Sequence, residues 1–189
     1  MLYEALHSVI ETLDEHLKKT FRQKEEKALL GGLLDIEGGL PERHRNKVLL
    51  SVVNLQEETV RPYGLTYVPL PDRKRLKLAQ PYDFNVDLLL AAVFEDYDES
   101  LKFLSAALYF FQGKPPFPVP GTAEEATAKH LSFELVKLSY QEMHSLWTAL
   151  GAKYVPSVLL KMRMLSVQSG KGEVVAEIEG ITPAGEVRK

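Results

Sequence analysis

The chain has 189 residues, of which 45% are hydrophobic and 26% charged, with a formal net charge of -3 and no cysteine. That length and apolar content are enough for one packed domain with an arm, and they exclude a chain disordered throughout. Without cysteine there is no disulfide frame, no thiolate nucleophile and no cysteine-ligated zinc or iron–sulfur cluster, and the mildly acidic balance argues against nonspecific attraction to nucleic acid.

Leu2, Leu6, Val9, Leu13 and Leu17 recur at helical spacing, so residues 2 to about 20 are predicted as an amphipathic helix that lays one stripe on a sheet. This opening has neither the basic start nor the small-residue cleavage site of a secretory signal, and no stretch reaches the roughly 20 apolar residues of a membrane span. The expectation is a soluble product made in the cytoplasm. His7 and His16 are nine residues apart, too far round the helix for a shared metal. Residues 28–37, ALLGGLLDIE, read as a short strand bent at Gly31-Gly32; the GKS or GKT ending of a phosphate loop is missing. KVLLSVVNLQEE, residues 47–58, reads as a strand buried on both faces.

From Thr59 to Tyr82 prolines alternate with cations, and a long loop or extended hairpin is expected there. Its run Arg73, Lys74, Arg75 and Lys77 is a candidate contact arm for an acidic partner. Next comes the densest apolar stretch, residues 83–113. Its strand puts Phe84, Val86, Leu88, Leu90, Ala92 and Phe94 on one wholly apolar face. The opposite face begins with Asn85 and Asp87 and turns apolar only at Leu89, Ala91 and Val93, which implies cover over one half. Asp98 is the expected cap of a helix starting near Glu99. Along that helix Leu101, Leu104, Leu108 and Phe111 form one stripe, and Phe103, Ala107 and Phe110 a second. So much apolar surface needs more than one cover, which makes Phe103 and Phe110 candidate subunit contacts unless the N-terminal helix roofs them.

Residues 113–130 read as a proline-rich surface loop, and 131–138 as a half-buried strand. Ser139 and Glu142 form a capping box, Met143, Leu146, Trp147 and Leu150 the apolar stripe behind it, and Gly151 the stop. The last long strand sets Val158, Leu160, Met162 and Met164 against a basic, exposed face of Lys161 and Arg163, a second candidate partner contact. The tail after Gln168 has too little apolar surface to fold alone and is expected to add to a sheet edge or stay mobile.

No catalytic motif accompanies these elements: GxSxG, HExxH and GxGxxG are all missing, and the acidic cluster Glu95, Asp96, Asp98 and Glu99 lacks the loop of a calcium site. The reading is a binding or assembly module without catalytic, cofactor or metal residues. Two alternatives stand beside it. One is a small-molecule-binding or enzymatic α+β domain with its site under the proline-rich loops; the other is a nucleic-acid adaptor, which a net acidic chain makes unlikely.

Two segments, FEDYDESLKFLSAALYFFQG and WTALGAKYVPSVLLKMRM, together with the opening MLYEALHSVIETLDEHLK and KVLLSVVNLQEE, resemble a known family. It is the N-terminal domain of the tail-terminator (cap) proteins of contractile injection systems, of the Photorhabdus virulence cassette and antifeeding-prophage type. The resemblance covers most of residues 1–167. It implies an α+β fold, a mixed and mostly antiparallel sheet flanked by about three helices, similar to phage tail terminators; residues 168–189, outside the resemblance, are read as an extended or mobile C-terminal arm. It also implies a non-enzymatic protein that forms a ring, a hexamer, on the end of the inner tube and sheath and becomes part of the assembled particle. A ring is a closed set of heterologous contacts, so each subunit needs two different surfaces.

Overall fold

The computed structural model describes residues 2–58, 66–70, 74–78, 82–113, 117–118, 130–167 and 172–176. The N-terminal stripe forms α1 (Leu2–Phe21), which buries Ala5, Leu6, Val9, Ile10, Leu13, Asp14 and Leu17. Its end is a Schellman turn: Gln23 N–H donates to the Lys18 carbonyl at 3.0 Å, and Arg22 takes the left-handed conformation at φ 54°. Asp14 ties the helix to the segment after this turn, accepting from the amides of Lys27 at 2.6 Å and Ala28 at 3.0 Å.

The strand expected over 28–37 is only β1 (Ala28–Leu30). Gly31 N–H still reaches the Leu50 carbonyl at 3.1 Å, but the Asp35 carboxylate then gathers the amides of Glu37 and Gly39 into a turn, with Gly38 at φ 82°. A 3-10 turn, Glu42–His44, leads into β2 (Lys47–Glu57). Burial of β2 stops after Ser51, contrary to the two-faced burial expected: the register slips between Val52 and Asn54, and Val52 and Leu55 stand exposed.

The main sheet contains these strands with β5 (Tyr82–Val93), β6 (Phe117–Pro118), β7 (His130–Val136) and β8 (Ser157–Val167), in the order β1-β2-β5-β8-β7-β6. β1 runs parallel to β2, while the β2/β5, β6/β7 and β7/β8 pairs are antiparallel. This is an α+β fold with a mixed, mostly antiparallel sheet and three helices. One sheet face carries Val48, Leu50, Val86, Leu88, Leu90, Ala92, Leu160 and Met162, packed under α1 and α2 (Tyr97–Gly113). The other face is apolar at one end only, where Leu49, Leu89, Ala91 and Val93 meet Leu33 of the 31–46 loop and Trp147 of α3 (Tyr140–Leu150). The half-covered central strand read from the alternation in 83–94 is therefore present.

α3 has the expected cap. Ser139 Oγ accepts from the Glu142 amide, the Glu142 carboxylate accepts from the Ser139 amide at 2.8 Å, and Gly151 closes the helix at φ 66°. α2 differs. It begins at Tyr97 rather than near Glu99, because the cap is Asp96, whose carboxylate accepts from the Glu99 amide at 3.1 Å; Asp98 lies inside the first turn.

The chain divides into two units, 1–58 with 83–165, and 59–82 with 166–189. The stretch expected as a loop or hairpin is a hairpin of β3 (Thr66–Leu70) and β4 (Lys74–Leu78), and the tail supplies β9 (Gly172–Ala176) to the other edge of β4. Residues 172–176 of the tail thus pair within their own chain, in the same unit as that hairpin. Most of 113–130 falls outside the described residues, as do Arg73 and the Met164 side chain.

Candidate functional site

No helix among the described residues is long and apolar enough to cross a membrane, and no three His, Asp or Glu side chains among them converge to hold a metal. What remains to be located is surface. The first expectation concerned α2. Phe103 and Phe110 are 1% and 5% exposed, so they are core residues and not available to a neighbouring subunit. The Phe103 ring stacks on Phe21 at 4.0 Å and on Phe94 at 4.5 Å, and the Phe110 ring lies 5.3 Å from His16. α1 is the roof. The buried arc of α2 is Ser100, Phe103, Leu104, Ala107, Phe110 and Phe111, and Leu101 turns outward at 42% exposure. The apolar side chains that α2 leaves in solvent are Tyr97 and Leu101, neighbours at i, i+4, and Tyr109, two turns further along and round the helix.

The second expectation was a basic face at Lys161 and Arg163. Both lie on the open half of the sheet, but each is paired. Lys161 Nζ donates to Gln56 Oε1 at 3.3 Å and lies 3.9 Å from Asp87 Oδ1, while Arg163 donates to Glu134 Oε2 through Nε at 3.0 Å, with Nη2 at 2.9 Å from the same oxygen. Asn54 donates to the other Asp87 oxygen at 3.2 Å, and Asn85 to Glu58 at 2.9 Å. With Glu58, three anions stand against the two cations Lys161 and Arg163, so this strip is not basic. The basic face is corrected to a polar strip, because the register that sets Glu134 opposite Lys161 also brings it within reach of Arg163.

The third was the run of cations at 73–77. Lys74, Arg75 and Lys77 stand on β4, the middle strand of the three-stranded sheet, so they are held in a fixed order rather than on a free loop. Alternation puts Arg75 and Lys77 on one face and Lys74, Leu76 and Leu78 on the other, and register places Glu173 opposite Lys77. Lys74 and Arg75 are exposed.

Sequence reasoning missed the groove between α1 and β1. It has a volume of about 610 Å³, and its lining includes Tyr3, His7, Ile10, Asp14, Lys18 and Leu30. Asp14 forms its floor. Burial raises the Asp14 pKa, but the bonds from Lys18 and from the Lys27 and Ala28 amides outweigh burial, and the carboxyl ends below its ordinary value. The same bond with Asp14 lifts Lys18 above the usual lysine range. The groove collects no catalytic arrangement: His7 bonds Glu11 at 3.1 Å within its own helix.

The family model described as the Pvc16 N-terminal domain matches residues 8–178. No curated protein sequence matches the chain. Among solved structures it is similar to the PVC sheath/tube terminator of an extracellular contractile injection system in the extended state, at 12% identity and a TM-score of 0.60, over 95% of this chain and 63% of that one. It is also similar to the anti-feeding prophage cap, a tube terminating cap, at 12% identity and a TM-score of 0.59, over 92% of this chain and 59% of that one. The chain thus spans about three fifths of the length of either structure, and at this identity the likeness is one of fold.

Proposed function

The chain belongs to the Pvc16 N-terminal domain family, and from that premise we propose that it is a structural tail terminator, a cap that ends the tube and sheath of a contractile injection system. The observation that carries this reading is the likeness of fold to a sheath/tube terminator along nearly the whole chain. In this role the protein is not an enzyme and needs no cofactor. It is made in the cytoplasm, joins others of its kind in a ring, a hexamer, and becomes part of the particle.

Two features of the molecule support an assembly role. β4 holds Lys74, Arg75 and Lys77 in a fixed array, suited to an acidic rim on tube or sheath, and β9 pairs along its other edge. The exposed Tyr97, Leu101 and Tyr109 are the apolar surface of α2 that a neighbour in the ring would meet, in place of Phe103 and Phe110.

Light scattering of the purified chain, alone and mixed with the tube protein of its particle, tests the reading. The expected result is a defined oligomer in at least the mixed sample. A monomer that ignores the tube protein at every concentration tried would count against it.

A further inference from the structure

His44 ends the 3-10 turn at the base of the 31–46 loop and is 2% exposed. Its ring edge lies against Gly31, where an added Cβ would sit 3.3 Å from Nε2, so the fit leaves no room for water between them. Neither ring nitrogen has a hydrogen-bond partner. A neutral imidazole tolerates that at some cost, but an imidazolium carries two donors and a charge that must be met. The charged groups around it do not meet that need. Arg43 and Lys47 oppose a further positive charge, and Asp35, the anion that favours one, is occupied by the Glu37 and Gly39 amides. Arg45 is engaged with Glu42 and Glu95, and Lys47 with Glu26. The Leu33 backbone lies near enough to favour the charged ring slightly and makes no hydrogen bond with it.

We propose that His44 is a proton-operated latch: neutral, it seats the 31–46 loop on the sheet, and protonated, it releases that loop. Burial, then Arg43 and Lys47, hold its pKa below the ordinary 6.5 in the closed form. An open loop therefore takes up the proton first, so closure is fully favoured above about pH 6.5 and weakens as pH falls below it. The loop carries Leu33 and Leu34, which pack on Leu49, Leu89 and Trp147, so release bares apolar side chains on the α3 side of the sheet. The latch rests on this geometry alone and does not depend on the terminator reading.

Hydrogen exchange of the intact chain tests it, read at the bonded amides of Gly31, Asp35, Gly39, His44 and Arg45 and corrected for intrinsic rates. Between pH 7.5 and pH 5 their protection should fall by up to about thirtyfold, the limit set by an open-state imidazole of pKa about 6.5. The His44→Gln variant should lose that dependence. Protection constant within twofold in the natural chain, or an equal pH dependence in the variant, would overturn the proposal. Should His44→Gln not fold, the ring resonances of the natural chain decide. His44 is expected to titrate below the ordinary imidazole value of 6.5, in step with shifts of the loop amides. Titration of His44 at or above that value would overturn it.

Discussion

Replacing Asp14 by alanine removes one acceptor that serves two backbone amides at once. Oδ1 takes both the Lys27 and Ala28 N–H groups, and Ala28 is buried. An amide left buried without a partner costs about 1–3 kcal/mol, so two, one of them only half-buried, amount to about 2–4 kcal/mol. The exposed side of the site, the bond to Lys18, adds little because water screens it. Urea unfolding at pH 7 should show this loss as a lower midpoint with an unchanged slope. Asp14→Asn keeps an acceptor oxygen but not the charge and should recover part of it. The pH dependence supplies a second check. The folded carboxyl sits below its ordinary 3.8, so its contribution is present above that value and disappears as pH falls through the folded pKa. The gap between natural chain and Asp14→Ala should therefore narrow in acid. A loss below about 0.5 kcal/mol at pH 7, or a gap that stays constant as pH falls through the carboxylate range, would refute the role of Asp14 as the tie between α1 and β1.

Phe103→Ala should destabilise by about 3–5 kcal/mol and Leu101→Ala by less than about 1 kcal/mol, measured by the same unfolding curves; equal losses would mean that α2 is rotated from the orientation described. Arg22→Gly should raise stability by about 0.5–1 kcal/mol, because glycine takes the left-handed φ at the end of α1 without steric cost; thermal unfolding reads the gain. Ser139→Ala should cost about 1 kcal/mol by opening the capping box of α3, with the midpoint of thermal denaturation as readout.

Periodicity made the main sheet and its helices legible where one pattern ruled a whole element. The switch from Asp87 to Leu89 on one face of β5 foretold cover over half of that face, which Trp147 of α3 and Leu33 of the 31–46 loop supply. Ser139, Glu142 and Gly151 marked both ends of α3 because capping is local chemistry. Choices that depend on tertiary partners were not legible. Two candidate stripes on α2 differ by a small rotation, and only the position of α1 decided that Phe103 is inside and Leu101 outside. Lys161 and Arg163 looked basic because Asp87, Gln56 and Glu134, their partners, stand on other strands. Likewise, a run of cations and prolines at 59–82 gives no sign that residues 172–176, far along the chain, will pair with it. His44 and the groove floored by Asp14 arise from loops and edges folding back, for which no period exists.

The central claim is that this chain closes the end of a growing tube. Electron microscopy of the tube protein of its particle, polymerised with and without the purified chain, tests that claim most directly. The account predicts tubes of shortened, bounded length that carry a ring of extra density at one end. Tubes of unchanged length, with bare ends at saturating amounts of the chain, would contradict it.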